Sequence, residues 1–375
     1  MNNTYRQAVI AVVLGTRPEA IKMIPVINEL RKIDSVKTIT ISTGQHREML
    51  TPILDKFRIG IDHEMDLMTP DQSLYGLSAA VIKSFEKALS NCRPSLLLVQ
   101  GDTTTAFLGA LCAFYGKIPV GHVEAGLRTN NKYSPFPEEI NRRLITQIAD
   151  LNFAPTESNR LNLLNEGVKP QSIFVTGNTG IDMLLLALEI KNNFEFSNID
   201  LTGKRLVLVT THRRESFGKA MENIFRALCD LAEKYPDIVI VYPLHLNPNV
   251  LAPAHKILDN VKNIHLTQPV DYLDFVNLMK RACLILTDSG GIQEEAPMLG
   301  TPVLVLRNET ERTEVVTSGN ARIAGTSRER IVGEASLILD NTQKLRGLPN
   351  KTCPYWKGNA AALIVKQVVD YLKLI

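Results

Sequence analysis

Three acids in the first half of this sequence stand at the ends of apolar runs, where chemistry is commonly done. Glu124 directly follows Val120–Val123 and precedes Ala125-Gly126-Leu127-Arg128. A carboxylate placed there, partly desolvated, suits a general acid or base; an ion pair with Arg128 is the structural alternative. Asp102, in Gly101-Asp102-Thr103-Thr104, follows the run Leu96–Gln100 and could equally cap a helix beginning near Thr103. Glu138 and Glu139 follow the proline-stiffened Tyr133-Ser134-Pro135-Phe136-Pro137 and enter a helix start, where the helix dipole alone accounts for them. Singly, each acid has a structural explanation. Three at neighbouring element ends together match what proton abstraction and donation at neutral pH require.

The second half is rich in anion-binding groups. Thr287-Asp288-Ser289-Gly290-Gly291-Ile292-Gln293-Glu294-Glu295 lies between the apolar run Ala282–Leu286 and a helix expected over Ala296–Leu299. Glycines let a backbone approach a phosphate closely, and the N–H groups of a first helical turn point at the anion. A carboxylate repels a phosphate, so Glu294 or Glu295 is expected to accept from hydroxyls, as on a ribose. His212, with Arg213 and Arg214, ends the run Leu206–Thr210 and suits a diphosphate; His245 ends Ile238–Pro243. Arg312 could serve phosphate or pair with its acidic neighbours. In Gly15-Thr16-Arg17-Pro18-Glu19-Ala20-Ile21-Lys22, Arg17 and Lys22 flank a helix start.

These groups must be positioned by a particular architecture. Short β-branched runs (Ala8–Leu14, Thr38–Thr43, Leu96–Gln100, Val120–Val123, Ile173–Thr176) alternate with helical periods, and the pattern restarts at Leu206. Such alternation predicts an α/β fold with parallel sheets covered on both faces. With 375 residues the chain exceeds the roughly 250–300 that one core usually serves. Two doubly wound domains are therefore expected, 1–190 and 191–358, their strand ends facing a shared cleft. Residues 191–204 lack periodicity and read as the junction.

Several functions are disfavoured. A net charge of +3 with no Lys/Arg-rich block argues against nucleic acid. No run approaches the roughly 20 apolar residues needed to cross a membrane, and no signal-peptide pattern opens the chain. Five cysteines without a C-x-x-C pair read as thiols of a reducing, cytoplasmic protein. No G-x-G-x-x-G fingerprint follows the first strand and no Walker A motif occurs, so no nucleotide cofactor is expected. Zinc-type His/Cys spacing is absent too, so no metal is expected. Asp-Ser-Gly-Gly resembles a protease nucleophile loop, but the α/β context excludes an all-β protease.

Taken together, Gly15–Lys22, Gln45–Leu50, Gly101–Thr105, Gly121–Thr129, Ser134–Glu139, Thr176–Thr179, His212–Ser216, His245–Pro248 and Asp288–Pro297 resemble the non-hydrolysing UDP-N-acetylglucosamine 2-epimerases, in order, from about residue 8 to about residue 330. The resemblance implies a GT-B fold, a homodimer, and a helix over 359–375 joining the first domain. It implies no cofactor. It also implies elimination of UDP across C1–C2 to 2-acetamidoglucal, then re-addition with the proton delivered to the opposite face, in surface-polysaccharide synthesis. By match, Asp102, Glu124 and Glu138 are the acid/base set, with His212 beside them. Arg17, Lys22, His212, Ser289, Gly290, Gly291 and Arg312 hold the UDP-amino sugar, mainly its phosphates. Glu295 takes the ribose and Phe275 lies near the uracil. Gln45, Arg213 and His245 match a second, regulatory UDP-N-acetylglucosamine site known in bacterial members.

The chain departs from the family at Val270, at Thr313 in Glu311-Arg312-Thr313-Glu314, and at Cys353-Pro354-Tyr355-Trp356-Lys357-Gly358. These positions leave the acids untouched but open the choice of UDP-2-acetamido sugar. A hydrolysing epimerase, a GT-B glycosyltransferase and a non-catalytic nucleotide-sugar sensor are the competing readings.

Overall fold

A computed structural model describes residues 7–44, 47–65, 67, 72–190, 199–341 and 358–373. They form two compact units that part between Met183 and Leu184, with the C-terminal helix belonging to the first.

The first unit holds a seven-stranded parallel sheet. Its strands are β1 (Ala8–Leu14), β2 (Val36–Ser42), β3 (His63–Glu64), β4 (Leu96–Gln100), β5 (Val120–Val123), β6 (Leu151–Ala154) and β7 (Ile173–Val175), in spatial order β3-β2-β1-β4-β5-β6-β7. Helices α1 (Arg17–Leu30), α2 (Arg47–Lys56), α3 (Leu74–Cys92), α4 (Thr104–Tyr115), α5 (Glu138–Ile148) and α6 (Glu157–Asn165) connect them, and α7 (Thr179–Glu189) follows, running across the division into the second unit. Every residue of β4, Leu-Leu-Leu-Val-Gln, is buried. That unbroken apolar run, rather than an alternating one, is what a parallel strand covered on both faces demands. Phe85, Leu97, Val99 and Ala110 share one core cluster.

The second unit repeats the plan with six strands: β8 (Arg205–Thr210), β9 (Ile238–Pro243), β10 (Ile264–Thr267), β11 (Leu284–Thr287), β12 (Val303–Val305) and β13 (Ala321–Ile323), in order β10-β9-β8-β11-β12-β13. Its helices are α8 (Lys219–Lys234), α9 (Pro248–Leu258), α10 (Tyr272–Arg281), α11 (Gly290–Met298), α12 (Thr313–Thr317) and α13 (Arg328–Leu339). Phe225, Tyr242 and Leu284 centre its core. α11 begins at Gly290, six residues earlier than the sequence pattern suggested, because Ser289 takes the extended cap conformation directly after β11.

Helix α14 (Ala360–Leu372) buries Ile364, Val365, Val368 and Val369. Asn359 gives it no side-chain cap. Asp182 supplies one instead: Oδ1 accepts from Ala361 N at 3.0 Å and Oδ2 from Ala360 N at 3.2 Å. An anion there satisfies two N–H groups that the helix itself leaves without acceptors.

In both sheets the order reverses between the first and fourth strands, β1/β4 and β8/β11. Ligands of doubly wound sheets bind beyond the strand C-termini at such a switch point. No helix among the described residues is long and apolar enough to cross a membrane.

Candidate active site

At the first switch point the β1–α1 turn is held by one side chain. Glu19, 2% exposed, accepts at Oε2 from Gly15 N (2.9 Å) and Thr16 N (2.5 Å), and at Oε1 from Thr103 Oγ1 (2.7 Å). Thr16 returns the favour to Glu19 N, completing a capping box. Burial raises the Glu19 pKa; the bonds from Thr103, Thr16 and Gly15 oppose that shift. Thr103, not Asp102, caps α4, accepting from Ala106 N at 3.0 Å. The capping alternative for Asp102 is thereby overturned. Its carboxylate instead meets the buried Arg142 at 2.7 Å, and its carbonyl accepts from Asn141 Nδ2 at 2.9 Å.

Glu124 is the most constrained of the acids. Its backbone sits at φ +68°, a left-handed conformation that costs a non-glycine residue about 1–3 kcal/mol. Oε1 accepts from Lys22 Nζ and Oε2 from Gln100 Nε2. The Arg128 alternative fails for a physical reason: Arg128 makes a two-pronged pair with Glu166 at 2.8 and 2.6 Å. Lys22, expected on phosphate, is 7% exposed and pairs with Glu124.

Just before Glu124, the buried His122 places Nε2 2.8 Å from the Gly101 carbonyl, in the turn that carries Asp102. Desolvation lowers the His122 pKa to about 4, against the pull of that carbonyl, so the ring is neutral at physiological pH.

The adjacent acids Glu138 and Glu139 divide their duties. Glu139 is fully buried; it accepts from Thr129 N (3.1 Å), Asn130 N (3.2 Å) and Arg143 Nε (3.1 Å), and lies 3.3 Å from Arg142. It is a structural clip. Glu138, the first residue of α5 and half-buried, follows the cis bonds Ser134–Pro135 and Phe136–Pro137.

The second switch point is also closed by one buried carboxylate. Asp288 Oδ2 accepts from Thr211 Oγ1 (2.8 Å), His212 N (2.8 Å) and Arg213 N (2.9 Å). His212 Nδ1 lies 3.5 Å from Asp288 Oδ1, and the ring stacks on exposed His245 at 5.2 Å between centroids.

Beside this corner, Arg312, 6% exposed, donates from Nε to Glu294 (2.9 Å) and from Nη1 to Glu311 (2.6 Å). The even choice for Arg312 thus includes its acidic neighbours, and Glu294 is engaged by an arginine. Burial would raise the Glu311 pKa, but Arg312, Arg307 and Arg213 together pull it far below the usual carboxylate range. Glu295 accepts from the buried Tyr272 hydroxyl at 3.3 Å.

A Cβ at Gly290 would stand 2.9 Å from Arg312 Cζ, so packing demands glycine there. At Gly291 the nearest atom would be Glu295 Oε1 at 3.9 Å, so no protein neighbour demands it.

The first unit therefore gathers Lys22, Asp102 and Glu124 around one switch point. Arg17 opens α1 half-buried, and Glu138 opens α5. The second unit gathers His212, Arg213, Ser289, Gly290, Gly291 and Arg312, while Phe275 is half-buried on α10. Gln45 lies outside the described residues. Glu19, Arg142, Glu139, Asp288 and Glu311 were not foreseen as supports. Only Glu19 left a local signal, the Thr16-x-x-Glu19 box.

The family model described as UDP-N-acetylglucosamine 2-epimerase matches residues 28–369. The Escherichia coli (strain K12) UDP-N-acetylglucosamine 2-epimerase is 47% identical over 365 residues, 94% of this chain and 96% of that protein. The structure of UDP-GlcNAc 2-epimerase from Neisseria meningitidis bound to UDP-GlcNAc aligns with a TM-score of 0.93 at 44% identity, covering 96% of this chain and 100% of that one. The S. aureus MnaA–UDP co-structure aligns with a TM-score of 0.93 at 43% identity, covering 98% of each. The two doubly wound units of this chain are of the GT-B type. With model, sequence and structure all matching over nearly its whole length, the chain belongs to the UDP-N-acetylglucosamine 2-epimerase family.

Proposed function

We propose that this chain inverts C2 of UDP-N-acetylglucosamine to give UDP-N-acetylmannosamine, without a cofactor. The C2 proton has no adjacent carbonyl to acidify it, so direct exchange is not available. In the proposed route a carboxylate takes that proton while the C1–O bond breaks. The C–H pair becomes the C1=C2 bond of 2-acetamidoglucal, and the C1–O pair leaves on the β-phosphate of UDP. Re-addition reverses both events, with an acid protonating the other face of C2. Glu124 carries the reading: a mostly buried carboxylate, in a strained backbone, held by an ammonium and an amide. Asp102 and Glu138 complete the proposed acid/base set. Lys22 accompanies Glu124 there, and Arg17 is a further proposed phosphate ligand.

In the second unit, His212, Ser289, Gly290, Gly291 and Arg312 would hold the diphosphate, Glu295 the ribose and Phe275 the uracil. The first-turn N–H groups of α11 and these cations oppose the charge that builds on the leaving UDP. Incubation with UDP-N-acetylglucosamine in D2O, followed by NMR, tests this. UDP-N-acetylmannosamine bearing deuterium at C2 is the expected product. Free N-acetylmannosamine would mean hydrolysis, and turnover of only another UDP-2-acetamido sugar would reassign the substrate. Inertness toward all of them would leave a sensor.

We further propose that Arg213 and His245, with Gln45, take a second, activating UDP-N-acetylglucosamine. The stacking of His245 on His212 gives such a ligand a direct route to the catalytic ring. Saturation kinetics with UDP-N-acetylmannosamine should accelerate on adding trace UDP-N-acetylglucosamine; unchanged kinetics would remove the regulatory site. A cytoplasmic homodimer supplying surface polysaccharide completes the proposal, and sedimentation at equilibrium checks the dimer.

A further inference from the structure

We propose that Asp288 is the positioning residue for His212, fixing which nitrogen of the imidazole carries the proton; this rests on the diphosphate-binding role proposed for His212. Asp288 is fully buried and its two oxygens do different things. Oδ2 takes three hydrogen bonds, from Thr211 Oγ1, His212 N and Arg213 N, and so holds the β8 turn against the β11 turn. Beneath it the strand ends are joined by Thr210 Oγ1 and Thr287 Oγ1 at 2.6 Å, and Tyr242 donates to the Thr211 carbonyl at 2.9 Å.

Oδ1 is buried with no hydrogen-bond partner among the described residues. Leaving a buried carboxylate oxygen unmatched is costly, and native structures seldom do it. The polar atom brought toward it is His212 Nδ1, at 3.5 Å. That is just beyond a good hydrogen bond, and such contacts commonly shorten when ligand binds.

Among the described residues at this corner, the Tyr242 hydroxyl is given to the Thr211 carbonyl. The Arg213 guanidinium is directed to Glu311 at 3.9 Å, and His245 meets His212 by its ring face. A carboxylate at Nδ1 requires the proton there. Nε2 is then the basic nitrogen, and once protonated it donates to an anion while Asp288 stabilises the imidazolium. A phosphate oxygen that gains charge as C1–O breaks is the anion such a donor suits.

The full chain labelled with 15N-histidine, without ligand and with UDP, decides the matter at a pH where the ring is neutral. The His212 signals are identified by their loss in His212→Gln. The Nδ1–H pattern is expected in the wild type, and the Nε2–H pattern would overturn the proposal. Asn at 288 keeps an acceptor for the two backbone N–H groups but turns an amide donor toward the ring. Asp288→Asn should therefore flip the pattern and lower kcat by about 10- to 100-fold with KM little changed. In a His212→Gln background the same change should cost nothing more. Unchanged kcat, or an equal loss in both backgrounds, would show that Asp288 only holds the turn. If Asp288→Asn fails to fold, the wild-type spectrum still decides. Were the epimerase reading wrong, the wild type would show no turnover while the spectrum still reported the Asp288 contact.

Discussion

The two units solve one problem in mirror fashion. At each switch point a buried carboxylate receives two backbone N–H groups and one threonine hydroxyl, joining the first-strand turn to the fourth-strand turn. In the first unit the acid is Glu19, on the first-strand side, reaching Thr103. In the second it is Asp288, on the fourth-strand side, reaching Thr211, His212 and Arg213. The scaffold is shared, and the surrounding charge is not. The first unit sets acids around its corner: Asp102 meets Arg142, and Glu124 is held by Lys22 and Gln100. The second packs Arg213, Arg307 and Arg312 around Glu294 and Glu311, with His212 beside Asp288. Under the reaction proposed above, one fold would carry proton transfer in one copy and diphosphate recognition in the other.

The sharpest break in this division of labour is Glu124→Gln. C2 deuterium exchange should fall by about 10²–10⁴, while calorimetry shows UDP still bound. Undiminished exchange would remove Glu124 from the chemistry.

Next in size is Arg312→Ala, which takes a guanidinium from the buried Glu294 and Glu311 and should cost about 3–5 kcal/mol in chemical denaturation, although Glu311 keeps Arg307. Arg142→Ala should cost less, because Glu139 keeps two backbone donors and Arg143. Equal losses would mean the two charge clusters are alike.

The third effect separates the units by pH. The His122 pKa is lowered from 6.5 to about 4, so the folded state resists the proton that the unfolded chain accepts. Its contribution is complete above pH 6.5 and is lost as pH falls from there toward 4, at most about 3 kcal/mol. Glu311, also lowered, contributes fully above its ordinary 4.5 and loses that contribution only at lower pH. Unfolding followed between pH 6.5 and 4.5 should flatten in His122→Asn and stay steep in Glu311→Gln.

The smallest effect is Gly291→Ala. It should leave Tm unchanged yet weaken UDP about tenfold, about 1.4 kcal/mol, whereas Gly290→Ala should lower both. Unaltered UDP affinity in Gly291→Ala would put the phosphate elsewhere.

Much of this was legible along the chain. Parallel strands covered on both faces are written as apolar runs, so Leu96–Gln100 and Leu284–Thr287 declared themselves and the polar residues after them stood out. Partnership was not legible. Thr103 lies 84 residues from Glu19, and Thr211 lies 77 from Asp288; only the pairing of first and fourth strands in each sheet brings them together. Neighbouring acids of one type, Glu138 and Glu139 or Glu294 and Glu295, look alike in sequence and differ only in what tertiary packing sets against them. The sequence pattern puts α11 at Ala296 because Gly-Gly is a poor helix former, whereas in the fold Ser289 is already the extended cap directly after β11.

The left-handed backbone at Glu124 sets local strain against a proposed catalytic role at one codon. Glycine or asparagine would adopt that conformation more readily than glutamate. Under the role proposed for Glu124, relieving the strain in that way would remove the acid and would also take this carboxylate from the buried Lys22. Any effort to stabilise this enzyme by evolution in the laboratory would have to screen for turnover at every round.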